Sequence, residues 1–439
     1  MQNFNMNLAI IGTGYVGLTT GACFAHMGHR VICQDIDEGK ISKLQAGETT
    51  MYEPGLSDLI QKVMGSGKLI FTPSLQKAID ESEIIFICVN TPPRADGHAD
   101  LKYVDQVARE IAKNLKEYKI IVDKSTVPIK TAEKVKDTIK KYSNGFNDFD
   151  VVSNPEFLRE GHAVEDILHP DRIVIGAESD RAKQKMLELY RPFTKNTDIP
   201  VTITSVKSAE LIKHGANTFL ASKISFANLI AEACENAGAD AKEVLEAIGL
   251  DKRIGKHFLN HGIGFGGSCF PKDIKAFKKT LEILGIDHSF IDAVENINSR
   301  AVERFIKKIE KEMWVLDGKH IAVLGLSFKP NTDDIRNSPS LKIIERLKND
   351  GAKIHAHDPK AMEKVKSVFG DIEYFNDPYE CLKNCEALIV CTEWDEYKKM
   401  DLKKIKELML TPILFDGRCV FSAHDARKHG ITYVGVGNS

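Results

Sequence analysis

Short apolar runs alternate with amphipathic segments through the first half of the chain. The runs "NLAII" from residue 7, "RVICQ" from residue 30 and "EIIFICV" from residue 83 have the length and apolar content of buried strands. Between them lie segments with helical spacing, such as "VGLTTGACFAHMG", which ends at a glycine. Repeated strand and helix units of this kind predict an α/β fold with a parallel, doubly wound sheet.

The pattern changes near residue 205. The stretch "SAELIKHGANTFLASKISFANLIAEACENAG" at 208–238 has helical spacing throughout and predicts a long helix. Strand-like runs return after Gly318 as "KHIAVLGLSF", "AKIHAHDP", "CEALIVCTEW" and "PILFDGR", and they resemble the runs of the first stretch in type and order. We therefore predict two Rossmann-like doubly wound domains joined by a long central helical segment, with boundaries 1–204, 205–300 and 301–439.

A glycine pattern directly follows the first predicted strand. Gly12, Gly14 and Gly17 form G-x-G-x-x-G and open the first predicted helix, which is the context of a dinucleotide-binding turn. Asp35 ends the next strand and would accept hydrogen bonds from an adenosine ribose while repelling a 2′-phosphate. NAD is therefore favoured over NADP, although Lys40 lies close enough to weaken that preference.

Two threonines follow later apolar strands. Thr91 in "NTPP" and Thr126 in "STVP" would lie at the carboxyl edge of the sheet, where doubly wound sheets bind ligands. An ordinary turn-forming role explains each threonine equally well.

Composition excludes several classes of protein. The 439 residues carry 60 basic and 62 acidic side chains, a net charge of -2, so no strongly basic surface for nucleic acid or anionic membrane is expected. No apolar run approaches the length of a membrane span, and no signal peptide is recognisable. The nine cysteines are odd in number and several lie in apolar runs, as in reduced proteins. We expect a soluble, cytoplasmic protein.

One cysteine differs from the others in its surroundings. Cys269 lies in "GFGGSCFPKD", where Pro271 suits the start of a helix, so the helix dipole and Lys272 would both favour the thiolate. The glycines at 262, 264, 266 and 267 would let a ligand approach the backbone. For Cys269, a role as nucleophile is favoured over that of a buried apolar residue. For Cys23, Cys33, Cys88 and Cys234, the buried apolar role is the better interpretation.

A nucleotide site and a reactive cysteine in one chain predict oxidation of an aldehyde to an acid. A thiolate adds to an aldehyde, the thiohemiacetal donates hydride, and the resulting thioester is hydrolysed. Whether the reaction begins from an alcohol remains open at this point. We predict no metal, because His257 and His261 lack the glutamate of H-E-x-x-H, and a strand end explains His355 and His357 equally well.

Six stretches resemble the UDP-glucose/GDP-mannose dehydrogenase family in order and spacing: "GTGYVGL", "STVP", "NPEFLREG", "SAELIKHGANTFLASKISF", "GFGGSCFPKD" and "GLSFKPNTDDIRNSPS". The stretches "MYEPGL" and "FDGR" resemble its UDP-glucose branch. The resemblance covers nearly the whole chain and implies a four-electron oxidation of UDP-glucose to UDP-glucuronate with two NAD and one water. It also implies a homodimer formed through the central helical segment, with the nucleotide sugar bound by the C-terminal domain.

The same resemblance assigns roles to individual residues. The implied catalytic residues are Cys269 as nucleophile, Asp273, Lys213, Asn217, Glu156 and Thr126. The implied cofactor contacts are Gly12, Gly14, Tyr15, Val16, Gly17, Asp35, Lys40, Thr91, Thr126, Glu160, Lys272 and Arg336. The implied substrate contacts are Glu156, Phe157, Leu158, Arg159, Glu160, Lys213, Asn217, Arg253, Phe258, Leu259, Asn260, His261, Gly262, Gly266, Lys329 and Arg418. Arg253 is expected to reach across the dimer, and Pro330 stands where some members carry a second basic residue.

Two alternatives remain open. The first is the same chemistry on UDP-N-acetylmannosamine, UDP-N-acetylglucosamine or GDP-mannose. The second is a protein that binds NAD for regulation and has no activity. The joint presence of Cys269, Lys213, Asn217 and Asp273 argues against the second, because a pure binding module does not need that set.

Overall fold

The computed structural model describes residues 5–94, 96–195 and 197–437. The chain divides into two compact units, one made of Met1–Ala216 with Lys275–Leu284 and the other of Asn217–Ile274 with Gly285–Ser439. Each unit is built on its own sheet.

The first unit contains an eight-stranded sheet in the order β3-β2-β1-β4-β5-β6-β7-β8. Its strands are β1 (Asn7–Ile11), β2 (Arg30–Gln34), β3 (Leu69–Thr72), β4 (Ile84–Ile87), β5 (Lys119–Asp123), β6 (Phe149–Ser153), β7 (Ile173–Gly176) and β8 (Val201–Thr204). Its first eight helices are α1 (Tyr15–His26), α2 (Glu38–Gln45), α3 (Leu56–Gly65), α4 (Leu75–Asp80), α5 (Lys102–Asn114), α6 (Thr131–Tyr142), α7 (Ala163–Leu168) and α8 (Asp180–Thr194). Neighbouring strands are parallel except β6 and β7, which pair antiparallel at Ser153 and Gly176.

Both faces of this sheet are covered. Along β1, Leu8 and Ile10 pack into one apolar core, while Ala9 and Ile11 pack into another. Because successive side chains of a strand point to opposite faces, the uninterrupted apolar run of β1 serves both cores. This explains why the strands of the first unit appear in the sequence as continuous apolar stretches.

The second unit contains a six-stranded, fully parallel sheet in the order β11-β10-β9-β12-β13-β14. Its strands are β9 (His320–Leu324), β10 (Lys353–His357), β11 (Glu373–Tyr374), β12 (Ala387–Val390), β13 (Ile413–Asp416) and β14 (Thr432–Gly435). The remaining helices are α9 (Val206–Ala237), α10 (Ala241–Gly249), α11 (Cys269–Ile283), α12 (Ser289–Met313), α13 (Pro339–Asn349), α14 (Met362–Lys366), α15 (Pro378–Cys381), α16 (Asp395–Lys398), α17 (Leu402–Leu408) and α18 (Ala423–Lys428). The chain passes from one unit to the other within α9 and within α11.

The predicted fold class is confirmed. The six strands of the second sheet, and the first six of the first sheet, have the Rossmann order 3-2-1-4-5-6. The predicted long helix is α9, which runs without a break over 32 residues. Among the residues described, no helix is both long and apolar enough to cross a membrane.

Candidate active site

The glycine turn lies between β1 and α1, as predicted. Gly14 is the N-cap of α1 and has no side chain to occupy the space before the helix. A Cβ on Gly14 would meet only the Oδ1 atom of Asn90, at 3.8 Å, so that space is open to a ligand. A Cβ on Gly17 would instead overlap the carbonyl oxygen of Gly12, which explains the close packing of the turn on the helix. With Tyr15 and Val16 starting the helix, this geometry fits a pyrophosphate.

Asp35 directly follows β2 and is held in place by its neighbours. Its Oδ2 atom accepts hydrogen bonds from the Thr13 main chain at 2.9 Å and hydroxyl at 2.7 Å, and from the Lys40 ammonium at 3.0 Å. Burial alone would raise the pKa of Asp35, but these contacts outweigh it and the pKa is lowered. The carboxylate is therefore ionised at neutral pH. Ile36 beside it is 80% exposed.

The structure brings the two predicted threonines together. The Thr91 hydroxyl, just beyond the end of β4, donates to the Thr126 carbonyl oxygen at 3.0 Å. Thr91 is buried and Thr126 is half-buried, both at the carboxyl edge of the first sheet. The edge position that the sequence predicted for these residues is therefore observed.

A buried ion pair lies beyond β6. The Lys213 ammonium is 2.8 Å from Oε1 of Glu156, and the two side chains are only 5% and 6% exposed. The other Glu156 oxygen accepts from the Leu158 main chain at 2.9 Å. The Phe157 ring lies 5.6 Å from the Lys213 ammonium, and the Arg172 guanidinium stacks 4.0 Å from that ring. The pair is thus fixed by main-chain and aromatic contacts.

The next residues of this segment differ in exposure. Glu160 is buried, whereas Arg159 is 54% exposed and forms an ion pair of 2.7 Å with Asp166. An arginine paired in this way can bind a ligand only by sharing or exchanging its partner.

A buried lysine near the ion pair was not predicted. The Lys124 ammonium is 3.2 Å from Oδ1 of Asn154, and the Tyr190 hydroxyl donates to the same oxygen at 2.5 Å. Burial lowers the pKa of Lys124 to about 8, while the charge of Glu156 opposes that shift. Lys124 directly precedes "STVP", yet a lysine at the end of an apolar run carries no distinctive sequence signal.

In the second unit, Cys269 is the first residue of α11. The prediction placed it just before the helix, with Pro271 at the first position, whereas Pro271 is the third residue. Proline fits there because first-turn amides have no acceptor within the helix. Cys269 and Cys419 are half-buried, and the other seven cysteines are buried. Burial raises the pKa of Cys419 to about 12, so Cys269 has the better position for a nucleophile.

Three predicted residues, Asp273, Asn217 and Lys272, lie in contact near the first turn of α11. The Asp273 carboxylate is 1% exposed and its Oδ2 atom accepts from the Asn217 amide at 2.6 Å. Its Oδ1 atom lies 3.0 Å from the Lys272 ammonium. Asn217 is also buried, so the amide fixes the direction of the carboxylate. Because Cys269 and Asp273 are four residues apart on one helix, they share a face.

The glycines before Cys269 pack closely against other residues of this unit. The prediction was that they leave room for a ligand, but a Cβ on Gly264, whose φ is +92°, would lie 2.9 Å from Oδ1 of Asn298. A Cβ on Gly266 would overlap the carbonyl oxygen of Asn337. The Asn298 side chain accepts from the Phe265 amide at 2.7 Å and donates to the Phe265 carbonyl at 3.1 Å. Asn298 thus clamps the loop, and a single asparagine in an amphipathic helix gave no signal for this role.

The segment Phe258–Gly262 is irregular. Phe258 has a positive φ of +64°, and the Gly262 amide donates to Oδ1 of Asn228 at 2.8 Å. The His261 Nε2 atom is 3.1 Å from the Val436 carbonyl oxygen. Leu259 is buried and Asn260 is exposed. Since residues 257–261 are not helical, the spacing of His257 and His261 does not place them on a helix face.

Four predicted basic residues occupy different surroundings. Arg418 follows β13 and donates from Nε to the Cys391 carbonyl oxygen at 3.0 Å. Lys329 lies in the loop after β9, with its ammonium 5.4 Å from the Phe328 ring. Arg336 donates to both carboxylate oxygens of Asp334, and Arg253, which is 89% exposed, pairs with Asp251. Arg418 and Lys329 therefore lie at the carboxyl edge of the second sheet.

Comparisons with known proteins agree along the whole chain. Residues 6–194 match the NAD binding domain of the UDP-glucose/GDP-mannose dehydrogenase family, residues 207–300 its central domain and residues 322–423 its UDP binding domain. The chain is 45% identical over 431 residues to UDP-glucose 6-dehydrogenase TuaD of Bacillus subtilis, covering 98% of this chain and 93% of that one.

Solved structures give the same result. A UDP-glucose dehydrogenase from the hyperthermophilic archaeon Pyrobaculum islandicum superposes with a TM-score of 0.93 and 40% identity, covering 100% of this chain and 99% of that one. A UDP-D-ManNAc dehydrogenase from Pyrococcus horikoshii gives a TM-score of 0.86 and 28% identity, with coverage of 98% and 99%.

Proposed function

Because this chain belongs to the UDP-glucose/GDP-mannose dehydrogenase family, we propose that it is a UDP-glucose 6-dehydrogenase. It oxidises the C6 hydroxyl of UDP-glucose to the carboxylate of UDP-glucuronate, with two NAD reduced and one water consumed. Similarity to enzymes named for UDP-glucose exceeds that to an enzyme named for an N-acetylated sugar. The observation that carries the proposal is the half-buried Cys269 at the start of α11, one turn from Asp273.

NAD would be held by the first unit. The turn at Gly12 to Gly17 receives the pyrophosphate, and Asp35 receives the adenosine ribose. Bound NAD supplies the hydride acceptor for each of the two oxidations. Thr91, Thr126, Glu160, Lys272 and Arg336 are proposed as further cofactor contacts.

Cys269 makes the second oxidation possible. After the first oxidation, the Cys269 thiolate adds to the C6 aldehyde and forms a carbon–sulfur bond, and the carbonyl oxygen takes a proton. The thiohemiacetal loses hydride and that proton to become a thioester. Water then attacks the thioester carbon, the carbon–sulfur bond breaks, and the products are a carboxylate, the free thiol and one proton. Lys272 and the amides at the start of α11 favour the thiolate.

Lys213 is proposed to stabilise the oxygen that becomes negative at C6. Its ammonium is already ordered by Glu156 at 2.8 Å, so little reorganisation is needed when charge develops on that oxygen. Asn217 orients Asp273 through a hydrogen bond of 2.6 Å. Asp273, on the helix face of Cys269, is proposed to accept a proton from the thiol or from the hydrolytic water.

The nucleotide part of the substrate is assigned to the second unit. Lys329 and Arg418 supply positive charge at the carboxyl edge of its sheet, and the segment Phe258–Gly262 supplies main-chain contacts. We therefore propose three functional segments with the predicted boundaries: residues 1–204 bind the cofactor, residues 205–300 connect the two domains and form the dimer, and residues 301–439 bind the UDP-sugar.

A second copy of the chain is proposed to cover one face of α9. Phe219, Phe226 and Leu229 are 66%, 45% and 41% exposed, and their spacing forms a stripe on the helix. An apolar stripe of this kind on a soluble domain marks an interaction surface. The exposed Arg253 is proposed to contact the substrate of that second copy.

The reaction is tested by counting products. Purified protein is incubated with UDP-glucose and NAD, and NADH absorbance is compared with UDP-glucuronate measured by chromatography. We expect two NADH per UDP-glucuronate, and no acid from Cys269→Ser. Cys234→Ser is the matched control, because Cys234 is a cysteine of the same unit outside the residues proposed to bind substrate or cofactor, and the variant should retain activity. Full acid production by Cys269→Ser would reject the nucleophile.

The sugar is tested with a panel of nucleotide sugars. UDP-glucose, UDP-N-acetylmannosamine, UDP-N-acetylglucosamine and GDP-mannose are compared at equal concentration by the initial rate of NADH formation. We expect UDP-glucose to give the highest kcat/KM. Reduction of NAD only with an N-acetylated sugar would overturn the substrate while leaving the family chemistry intact.

A further inference from the structure

Glu53, in the "MYEPGL" stretch, is a buried carboxylate surrounded by hydrogen-bond donors. It is 5% exposed. Its Oε1 atom accepts from the Ala163 amide at 2.6 Å, and its Oε2 atom accepts from the Gly161 amide at 2.6 Å. The Tyr15 hydroxyl also donates to Oε2. Because all three partners are donors, the site suits an ionised carboxylate, which can only accept hydrogen bonds.

These contacts join three separate stretches of the first unit. Tyr15 is the first residue of α1 and belongs to the glycine turn that receives the pyrophosphate. Gly161 directly follows Glu160, which is a proposed cofactor contact, and its amide also lies 3.0 Å from the Tyr15 hydroxyl oxygen. Glu53 thus connects the glycine turn to the segment that carries Glu160.

The pKa shifts of Glu53 and Tyr15 agree with a contact that depends on the negative charge of Glu53. Burial raises the pKa of Glu53, while the hydrogen bonds from Tyr15 and from the amides of Gly161 and Ala163 oppose that shift. Burial and the neighbouring Glu53 raise the pKa of Tyr15, so its hydroxyl keeps its proton and remains a donor. An uncharged amide at position 53 would keep the shape of the side chain but would place an NH₂ group against these donors.

We infer that Glu53 is a positioning residue for NAD: it fixes the Tyr15 end of the glycine turn against the Gly161–Ala163 turn, so that both stretches meet the cofactor in one arrangement. Nothing in the reaction requires Glu53 to touch the cofactor. The inference rests on NAD binding by this domain and not on the identity of the sugar, so a different result from the sugar panel would leave it standing.

Binding of NAD without any sugar tests this role. Isothermal titration calorimetry measures the NAD Kd of the full chain and of Glu53→Gln, Tyr15→Phe and the double variant. Loss of a hydrogen bond to a charged group predicts that Glu53→Gln raises the Kd about tenfold. Tyr15→Phe should raise it about threefold. The double variant should bind no more weakly than Glu53→Gln, because both single changes break the same contact. Glu188→Gln, a glutamate of the same unit that is 54% exposed, is the matched control and should leave the Kd unchanged.

The outcomes separate positioning from plain stabilisation. If circular dichroism shows folded protein and both single variants bind NAD within about twofold of the parent, the inference is wrong. Fully additive effects of the two changes would also overturn it, because Tyr15 would then contact NAD independently of Glu53. Should Glu53→Gln not fold, Tyr15→Phe alone decides: an unchanged Kd in that folded variant refutes the connection, and a raised Kd supports it.

Discussion

Gly264 gives a direct test of how the loop before Cys269 is positioned. Replacement by alanine adds a methyl group at a residue with φ of +92°, 2.9 Å from Oδ1 and 3.1 Å from the main-chain oxygen of Asn298. Gly255 is the matched control, because it also has a positive φ, +68°, but a Cβ there meets nothing within 4 Å. Both glycines belong to the second unit.

The expected magnitudes follow from these two environments. Alanine in the left-handed region costs about 1–2 kcal/mol, and this applies to Gly255→Ala and Gly264→Ala alike. Overpacking against Asn298 adds about 1–3 kcal/mol in Gly264→Ala alone. The two variants should therefore differ by about 2 kcal/mol, or about 1 M in the urea midpoint for a slope near 2 kcal/mol/M.

Tryptophan fluorescence is a suitable measurement for this unit. The chain has two tryptophans, Trp314 and Trp394, and both belong to the second unit. Trp394 is 6% exposed and its indole nitrogen donates to Asp358 at 3.2 Å, so its emission should change on unfolding. Urea unfolding is compared at one protein concentration, because association would shift the midpoint.

Activity completes the test. Displacement of the loop that leads into Cys269 should lower kcat about a hundredfold in Gly264→Ala, since small misplacements of catalytic groups are costly. Gly255→Ala should retain kcat within about threefold, because strain at an open site does not move that loop. Equal urea midpoints for the two variants would refute the packing argument. A destabilised Gly264→Ala with full activity would refute the link between the Asn298 clamp and catalysis.

Three further results are expected. Asp35→Ala should raise kcat/KM for NADP relative to NAD about tenfold or more, measured with both cofactors, because the ionised carboxylate repels a 2′-phosphate; an unchanged ratio would show that Asp35 does not select the cofactor. Burial lowers the pKa of Lys124 from 10.5 to about 8, so between these values the unfolded chain binds more protons and the unfolding free energy rises with pH. Urea unfolding followed by circular dichroism at pH 7.5 and 9.5 should show a smaller rise in the unfolding free energy of Lys124→Met than of the parent protein. An identical rise in both proteins would contradict the assigned titration. Phe226→Lys should convert a dimer to a monomer in light scattering, because it places a charge in the exposed stripe of α9; a monomeric parent protein would refute the dimer.

Local patterns in the sequence were sufficient for the features whose determinants lie close together. The glycine turn and Asp35 depend on a strand, a turn and a helix in immediate succession, and the structure shows each of them. Cys269 and Asp273 are related by helical spacing alone. These features were predictable because each requires only one or two neighbouring elements.

Other features depend on contacts between distant stretches and had no local signature. Asn298 reaches Phe265, 33 residues away, and Glu53 reaches Gly161, 108 residues away. The strand β8 was also not predicted, since two of its four residues are exposed and its apolar pattern is weak. In each case the side chain or strand is unremarkable by composition, and only the packing of the fold gives it a partner.

The two sheets show why strand order alone does not produce a dinucleotide site. Asp358 follows β10 as Asp35 follows β2, each at the end of the second strand in the Rossmann order. Asp358 is fully buried, and its Oδ2 atom accepts from the Leu326 amide at 2.7 Å, the Ser327 amide at 3.0 Å and the Trp394 indole. Its Oδ1 atom accepts from the Lys360 and Ala361 amides, each at 2.8 Å. The acceptor capacity of this carboxylate is used by the protein, and a ribose hydroxyl would have to displace main-chain donors whose burial without a partner is costly.

Asp35, by contrast, keeps 16% of its side chain exposed, and its main-chain donors are the Thr13 amide at 2.9 Å on Oδ2 and the Asp37 amide at 3.2 Å on Oδ1. It can accept a ribose hydroxyl without releasing the glycine turn. The second sheet offers other groups at the same edge, because Lys329 and Arg418, which are proposed above to bind the nucleotide, lie in the loops after β9 and β13. One topology is thus matched by an NAD binding domain in one unit and a UDP binding domain in the other, and the carboxylate after the second strand is accessible in the first and occupied in the second.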